Sequence, residues 1–153
     1  MAIGIGIRVT PKKIYYTIIN EKGYENDVLN VPTALDPPRQ LSFIRTTLLS
    51  IICEYKITHA GLKTAEGLGK KSINFFRLNI EGVIQELFSD STVKSYFAGT
   101  STSIASRLKS TNKIVTECCK GNNNAFDIAD WDRLNQYQRE SLLACLAAIG
   151  FND

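Results

Sequence analysis

The stretch Ile3-Gly4-Ile5-Gly6-Ile7-Arg8-Val9 decides how the rest of the chain is read. Its β-branched residues recur at every second position, the period of a pleated strand and not of a helix. Working outward, Thr10-Pro11-Lys12-Lys13 supplies a turn, and Ile14–Asn20 is again rich in strand-forming residues. Glu21-Lys22-Gly23 reads as a tight hairpin turn, since glycine accepts positive φ. Tyr24–Val31 then returns as a third strand. The chain therefore opens as an antiparallel meander of three strands.

Asp36-Pro37-Pro38 breaks the strand pattern: Asp36 can cap a helix, and proline suits a first helical turn. From Arg39 to Tyr55, Leu41, Ile44, Leu48, Ile51, Ile52 and Tyr55 recur at three-and-four spacing, which predicts an amphipathic helix. Ile57–Leu62 reads as a buried strand and Thr64–Lys71 as a loop. Ser72–Phe88 reads as a second helix with a wide apolar face. Thr92–Phe97 reads as a fifth strand. Thr100–Leu108 and Asn112–Cys119 read as short helices, Gly121–Asn124 as a polar loop, and Asp132–Ile149 as a closing helix. A strand following a helix following a hairpin implies a crossover onto a mixed sheet.

A chain of 153 residues suits one α/β domain spanning 1–153. Its 44% hydrophobic and 22% charged residues are those of an ordinary globular protein and argue against a disordered segment. The longest apolar runs, such as Leu142–Ile149, are too short to span a bilayer. The N-terminus lacks the pattern of a signal peptide, so the expected location is cytoplasmic. The four cysteines show no CxxC spacing, and with a single histidine they argue against a zinc site. A net charge of +3 permits nucleic-acid binding without requiring it.

The order of elements, three strands and then helix, strand, helix, strand and helices, resembles the ribonuclease-H-like fold. Local motifs resemble one branch of it, the RuvC-type Holliday junction resolvases. Ile3-Gly4-Ile5-Gly6-Ile7 resembles that family's first strand, which ends in Gly-Ile-Asp, and Ile14–Ile19 its second. His59-Ala60-Gly61-Leu62-Lys63 resembles its fourth strand, and Val93-Lys94-Ser95-Tyr96 its fifth. Arg77–Val83 is similar to the helix that bears an Arg-Gly-Val step, and Glu140–Ala147 to the final helix. The resemblance implies a five-stranded mixed sheet in the order 3-2-1-4-5, flanked by helices. It also implies homodimers, here through the second helix with Ile73, Phe76, Ile80, Val83, Ile84 and Leu87.

The resemblance implies two-metal phosphodiester hydrolysis by four acids that hold Mg²⁺. The matching positions here are Arg8, Lys63, Tyr137 and Glu140, of which only Glu140 is a carboxylate. Arg8 and Lys63 reverse the charge as well as removing a ligand. At an effective dielectric near 20, two unit charges about 4 Å apart interact by about 4 kcal/mol, so both residues repel Mg²⁺. The expectation is a catalytically inactive domain without a cofactor, acting as a nucleic-acid-binding or scaffolding module. DNA or RNA would be held at a basic sheet edge through Arg8, Lys12, Lys13, Lys63, Lys70 and Lys71. Ligands of open α/β sheets gather near strand C-termini, which favours that edge. The competing expectation for Arg8 is an internal salt bridge to Glu140, with the lysines as ordinary solvated surface.

Two other classes stay open. One is an active Mg²⁺-dependent endonuclease with displaced acids Glu66 and Glu140, helped by Asp130 or Asp132. The other is a protein–protein adaptor without nucleic-acid binding. Thr100–Ser103 reads first as helix-capping hydroxyls and second as a phosphate contact. Trp131 reads as a packing residue, because Asp130 and Asp132 flank it. His59 reads as structural, and at least one of Phe75 and Phe76 as core.

Overall fold

The computed structural model describes residues 2–66 and 74–150. Three strands come first: β1 (Gly4–Val9), β2 (Lys13–Asn20) and β3 (Gly23–Asn30). Helix α1 (Pro37–Glu54), β4 (His59–Lys63), α2 (Phe75–Ser89) and β5 (Ser95–Gly99) follow. Helices α3 (Ser101–Arg107) and α4 (Asn112–Cys119) and a short 3-10 turn (Trp131–Arg133) lead to α5 (Gln136–Gly150). The strands form one sheet in the order β3-β2-β1-β4-β5, the order that the family resemblance implies. β1 pairs antiparallel with β2 and β2 antiparallel with β3, whereas β1–β4 and β4–β5 are parallel.

Local chemistry accounts for most boundaries. The Asp36 side chain accepts from the Arg39 amide and so starts α1, with proline in the first turn. Asn74 does the same for α2 by accepting from Arg77. Gly23 closes the β2–β3 hairpin at φ +129°, a conformation that suits glycine. The last helix starts later than the expected Asp132. Trp131–Arg133 form a separate 3-10 turn, and Asn135 and Gln138 then exchange side-chain-to-backbone hydrogen bonds of 2.8 and 2.9 Å. That reciprocal pair is a capping box. β5 lies later than the expected Thr92–Phe97, because pairing of His59 with Ser95 sets its register against β4.

The sheet carries a helical layer on each face. Ile5, Ile7, Ile14, Ile18 and Leu62 point to one side and pack with α1 and α2 through Ile44, Leu48, Ile80 and Ile84. Ile80, Ile84 and Leu87 of α2 are spent on this core and are not available to a second copy of the chain, whereas Phe76 and Val83 of the expected face are half-buried. Ile73 lies outside the described residues. The large apolar side chains that α2 leaves exposed are Phe75 and Leu78. The opposite layer holds α3, α4 and α5, with Trp131 buried and its indole nitrogen donating to the Cys118 carbonyl at 3.0 Å.

Helix α5 sits directly against the sheet. A Cβ added at Gly6 would lie 2.0 Å from the Ser141 carbonyl oxygen, and one at Gly61 would lie 2.4 Å from that of Ala144. Helix backbone therefore touches strand backbone, and only glycine fits at these two positions. Gly82, in the exposed part of α2, has nothing within 4 Å of its virtual Cβ. Gly6→Ala is accordingly expected to destabilise by about 1–3 kcal/mol or more through overpacking. Gly82→Ala is expected to stabilise by about 0.5–1 kcal/mol. Urea denaturation of the two variants measures both effects.

Candidate nucleic-acid interface

The register places Tyr15 of β2, Arg8 of β1 and Lys63 of β4 side by side in one row of the sheet. Side chains of paired residues project to the same face. This row ends the parallel strands β1 and β4, and the first turn of α5 lies over it. Tyr137 and Glu140 are three apart on that helix and so share its sheet-facing side. The buried Thr17–Ser141 hydroxyl contact of 2.7 Å fixes the rotation of the helix one step further along.

Arg8 donates through Nε to Glu140 and through a terminal nitrogen to the Val9 carbonyl. Its side chain is 13% exposed and that of Glu140 is 8% exposed. The second carboxylate oxygen of Glu140 accepts from the Gln136 amide at 3.2 Å. Tyr137 covers the pair. Its ring centroid lies 5.0 Å from the Arg8 guanidinium carbon and 5.1 Å from the Tyr15 ring, to which it is stacked. Lys63 is 4% exposed, and its Nζ donates to the Thr64 carbonyl at 2.9 Å and to Glu66 at 3.0 Å. Glu66 also accepts from the Ser101 amide at 3.4 Å.

A third pair lies on α2, in the other layer. Glu81 of α2 is buried, accepts from Arg77 Nε at 2.8 Å, and receives the Ala65 amide at 3.1 and 3.2 Å. It thereby ties α2 to the chain just beyond β4. Buried Cys119 lies within the field of both Glu140 and Lys63; burial is the main cause that pushes its thiol up to about 12, so it stays protonated at neutral pH.

The end of β4 and its surroundings therefore hold their charges as pairs: Arg8–Glu140 and Lys63–Glu66 in the row, and Arg77–Glu81 on α2 in the other layer. Among the described residues, no three of His, Cys, Asp and Glu converge where they would hold a metal ion. A hard divalent cation needs several oxygen donors directed at one point. Here Glu140 is engaged by Arg8, Glu66 by Lys63 and Glu81 by Arg77, so the donor set does not fit Mg²⁺. Asp130 and Asp132 are exposed.

Of the residues expected to meet phosphate, Arg8 and Lys63 are brought together, each on its own carboxylate. Lys12 and Lys13 lie at the same end of the sheet, exposed, in and just after the β1–β2 turn. Lys70 and Lys71 lie outside the described residues. Thr100 is the α3 N-cap residue without a side-chain cap bond. His59 Nδ1 lies 2.8 Å from the Thr58 hydroxyl. The sequence reading did not single out Tyr15, Arg77 or Glu81 for this site. The available signal for the last two was an arginine and a glutamate at i,i+4 on α2.

This architecture is a ribonuclease-H-like fold of the RuvC type. The solved structure of Thermus thermophilus RuvC matches it with a TM-score of 0.69 at 9% identity, covering 98% of this chain and 95% of that one. T. thermophilus RuvC in complex with a Holliday junction substrate matches with a TM-score of 0.70 at 8% identity, covering 99% and 95%. At such identities the likeness establishes the fold. No protein-family model and no curated protein matches the chain. No helix among the described residues is long and apolar enough to cross a membrane.

Removing one member of a largely buried ion pair strands the other. Arg8→Ala and Glu140→Ala are each expected to destabilise by about 3 kcal/mol. The double variant is expected to lose clearly less than the sum of the two. A double-mutant cycle by urea denaturation reads the coupling.

Proposed function

We propose that this protein is a cytoplasmic, catalytically inactive RuvC-fold module that binds nucleic acid. The observation that carries the inactive half is the Arg8–Glu140 pair at the end of β1. A guanidinium occupies the neighbourhood where the resemblance implies metal-bound carboxylates. Lys63, the other charge reversal, is neutralised by Glu66 in the same row. In this reading Arg8 and Lys63 replace metal ions structurally, and no cofactor is required.

The binding half rests on what remains uncompensated. Lys12 and Lys13 are exposed, and no ion pair involving either is found among the described residues. They adjoin the edge where ligands of open α/β sheets gather. The T. thermophilus protein of the same fold is seen with Holliday junction DNA. Phosphate contact is therefore assigned to Lys12 and Lys13 and withdrawn from Arg8 and Lys63.

Two measurements test the proposal. Incubated with junction, flap or single-stranded DNA and Mg²⁺ or Mn²⁺, the protein should cut nothing. Metal-dependent cleavage that disappears in Glu140→Ala overturns the inactive reading in favour of a nuclease. Binding to the same DNA should weaken as salt rises, and Lys12→Glu/Lys13→Glu should flatten the dependence by about one to two phosphate contacts. Lack of binding even at low salt points instead to a protein adaptor.

A further inference from the structure

The face of the sheet that carries α5 extends beyond that helix onto β2 and β3. Alternation along the strands sorts the side chains there. Lys13, Tyr15 and Thr17 of β2 lie on this face, because Tyr15 stacks on Tyr137 and Thr17 contacts Ser141. Their partners on β3 are Asn30, Val28 and Asn26. The opposite face carries Glu25 and Asp27, which meet Tyr55 and Tyr16. The shelf beside the first turn of α5 is thus basic and neutral, while the acids of the same strand lie on the other side. Glu140 also belongs to this face but is bound by Arg8, and Asp130 lies beside Tyr24 at the far end of β3.

Tyr137 borders the shelf. It rests on Tyr15 and the Arg8 guanidinium yet remains 39% exposed, and Val28 nearby is 36% exposed. An aromatic ring held from beneath by a second ring and a guanidinium is rigid and half open. Lys13 precedes Tyr15 by two residues, about 7 Å along β2. Lys12 precedes it in the turn. A fixed aromatic face with cations one step away matches a base flanked by its phosphates. An uncharged apolar ligand would make no use of the lysines.

We propose that Tyr137, backed by Tyr15 and Arg8, is a stacking platform for an unpaired nucleobase, with Lys12 and Lys13 taking the adjoining phosphates of a single strand. The assignment rests on the reading that the protein binds nucleic acid, and it adds what is recognised. Glu140 serves it as a positioning residue, holding Arg8 beneath the ring.

Fluorescence anisotropy with labelled oligothymidylate of about twelve nucleotides, and with a deoxyribose-phosphate chain of the same length lacking bases, tests it. Wild-type protein should bind the base-free chain about tenfold more weakly. Tyr137→Ala should lose about tenfold on oligothymidylate, nothing further on the base-free chain, and keep the wild-type salt dependence. Tyr137→Phe, which keeps the ring, should bind like wild type. Equal wild-type affinity for both chains overturns the stacking platform and leaves phosphate binding standing. That comparison needs no variant, so a folding defect in Tyr137→Ala cannot obscure it. Unchanged oligothymidylate binding by Tyr137→Ala also overturns the platform. Wild-type protein that binds neither chain at low salt removes the nucleic-acid reading itself, and the platform with it.

Discussion

The backbone-to-backbone contact of α5 with β1 and β4 is the constraint on which the site depends. A helix packed on a sheet through ordinary side chains can slide and rotate as those side chains change. Here the Ser141 and Ala144 carbonyls occupy the space that side chains at Gly6 and Gly61 would fill, so there is little freedom to slide. The Thr17–Ser141 contact removes rotation. With the helix set in this way, the first turn of α5 must lie over the row of Tyr15, Arg8 and Lys63. The positions of Tyr137 and Glu140 follow from the glycines, although neither residue touches one.

That placement dictates the electrostatics. A cation at the end of a central strand and beneath a helix loses most of its water, and an unpaired charge there is costly. Arg8 and Lys63 can remain only if carboxylates reach them, and Glu140 and Glu66 do so. The pairing that makes these buried cations tolerable also consumes the charge they would offer to a phosphate. Positive potential is therefore displaced outward, to the lysines of the β1–β2 turn. Glu81 shows the same logic from the other layer, since a buried carboxylate is held by Arg77 and a backbone amide.

The fold was largely legible, because its signals are local. Alternation marks β1 and β2, and Asp36-Pro37-Pro38 marks the start of α1. The weakest boundaries were those set by distant partners. β5 shifts to Ser95–Gly99 because β4 sets its register, and the end of β4 moves to Lys63 because it pairs with Arg8. The expected start of the last helix at Asp132 moves one turn later, to the Asn135–Gln138 capping box. The site was half legible. Strand ends and the final helix brought Arg8, Lys63, Tyr137 and Glu140 into view, and the internal Arg8–Glu140 bridge was one of the two expected outcomes. Nothing local announces that Lys63 and Glu81 are buried, or that Tyr15 lies beneath Tyr137. Each of these depends on which face a neighbouring element covers.

The edge strand β3 connects these points. Its sequence, Gly23-Tyr24-Glu25-Asn26-Asp27-Val28-Leu29-Asn30, is mostly polar, as suits a strand whose outer edge is unpaired. The pleat divides that polarity: Glu25 and Asp27 fall on the α1 side, and Asn26, Val28 and Asn30 on the α5 side. An acid moved by one position would place a carboxylate on the shelf beside Tyr137 and repel any phosphate brought there. The row at the strand ends and the shelf beyond it are thus separate surfaces that share only Arg8, Tyr15 and Tyr137. In the row, charges cancel in pairs and metal donors do not converge. On the shelf, exposed lysines and a half-open ring face solvent, and Glu25 and Asp27 of β3 lie on the other side of the sheet. Alternation along two strands therefore lets one sheet face hold a closed set of ion pairs at the strand ends and an open, basic shelf beside it.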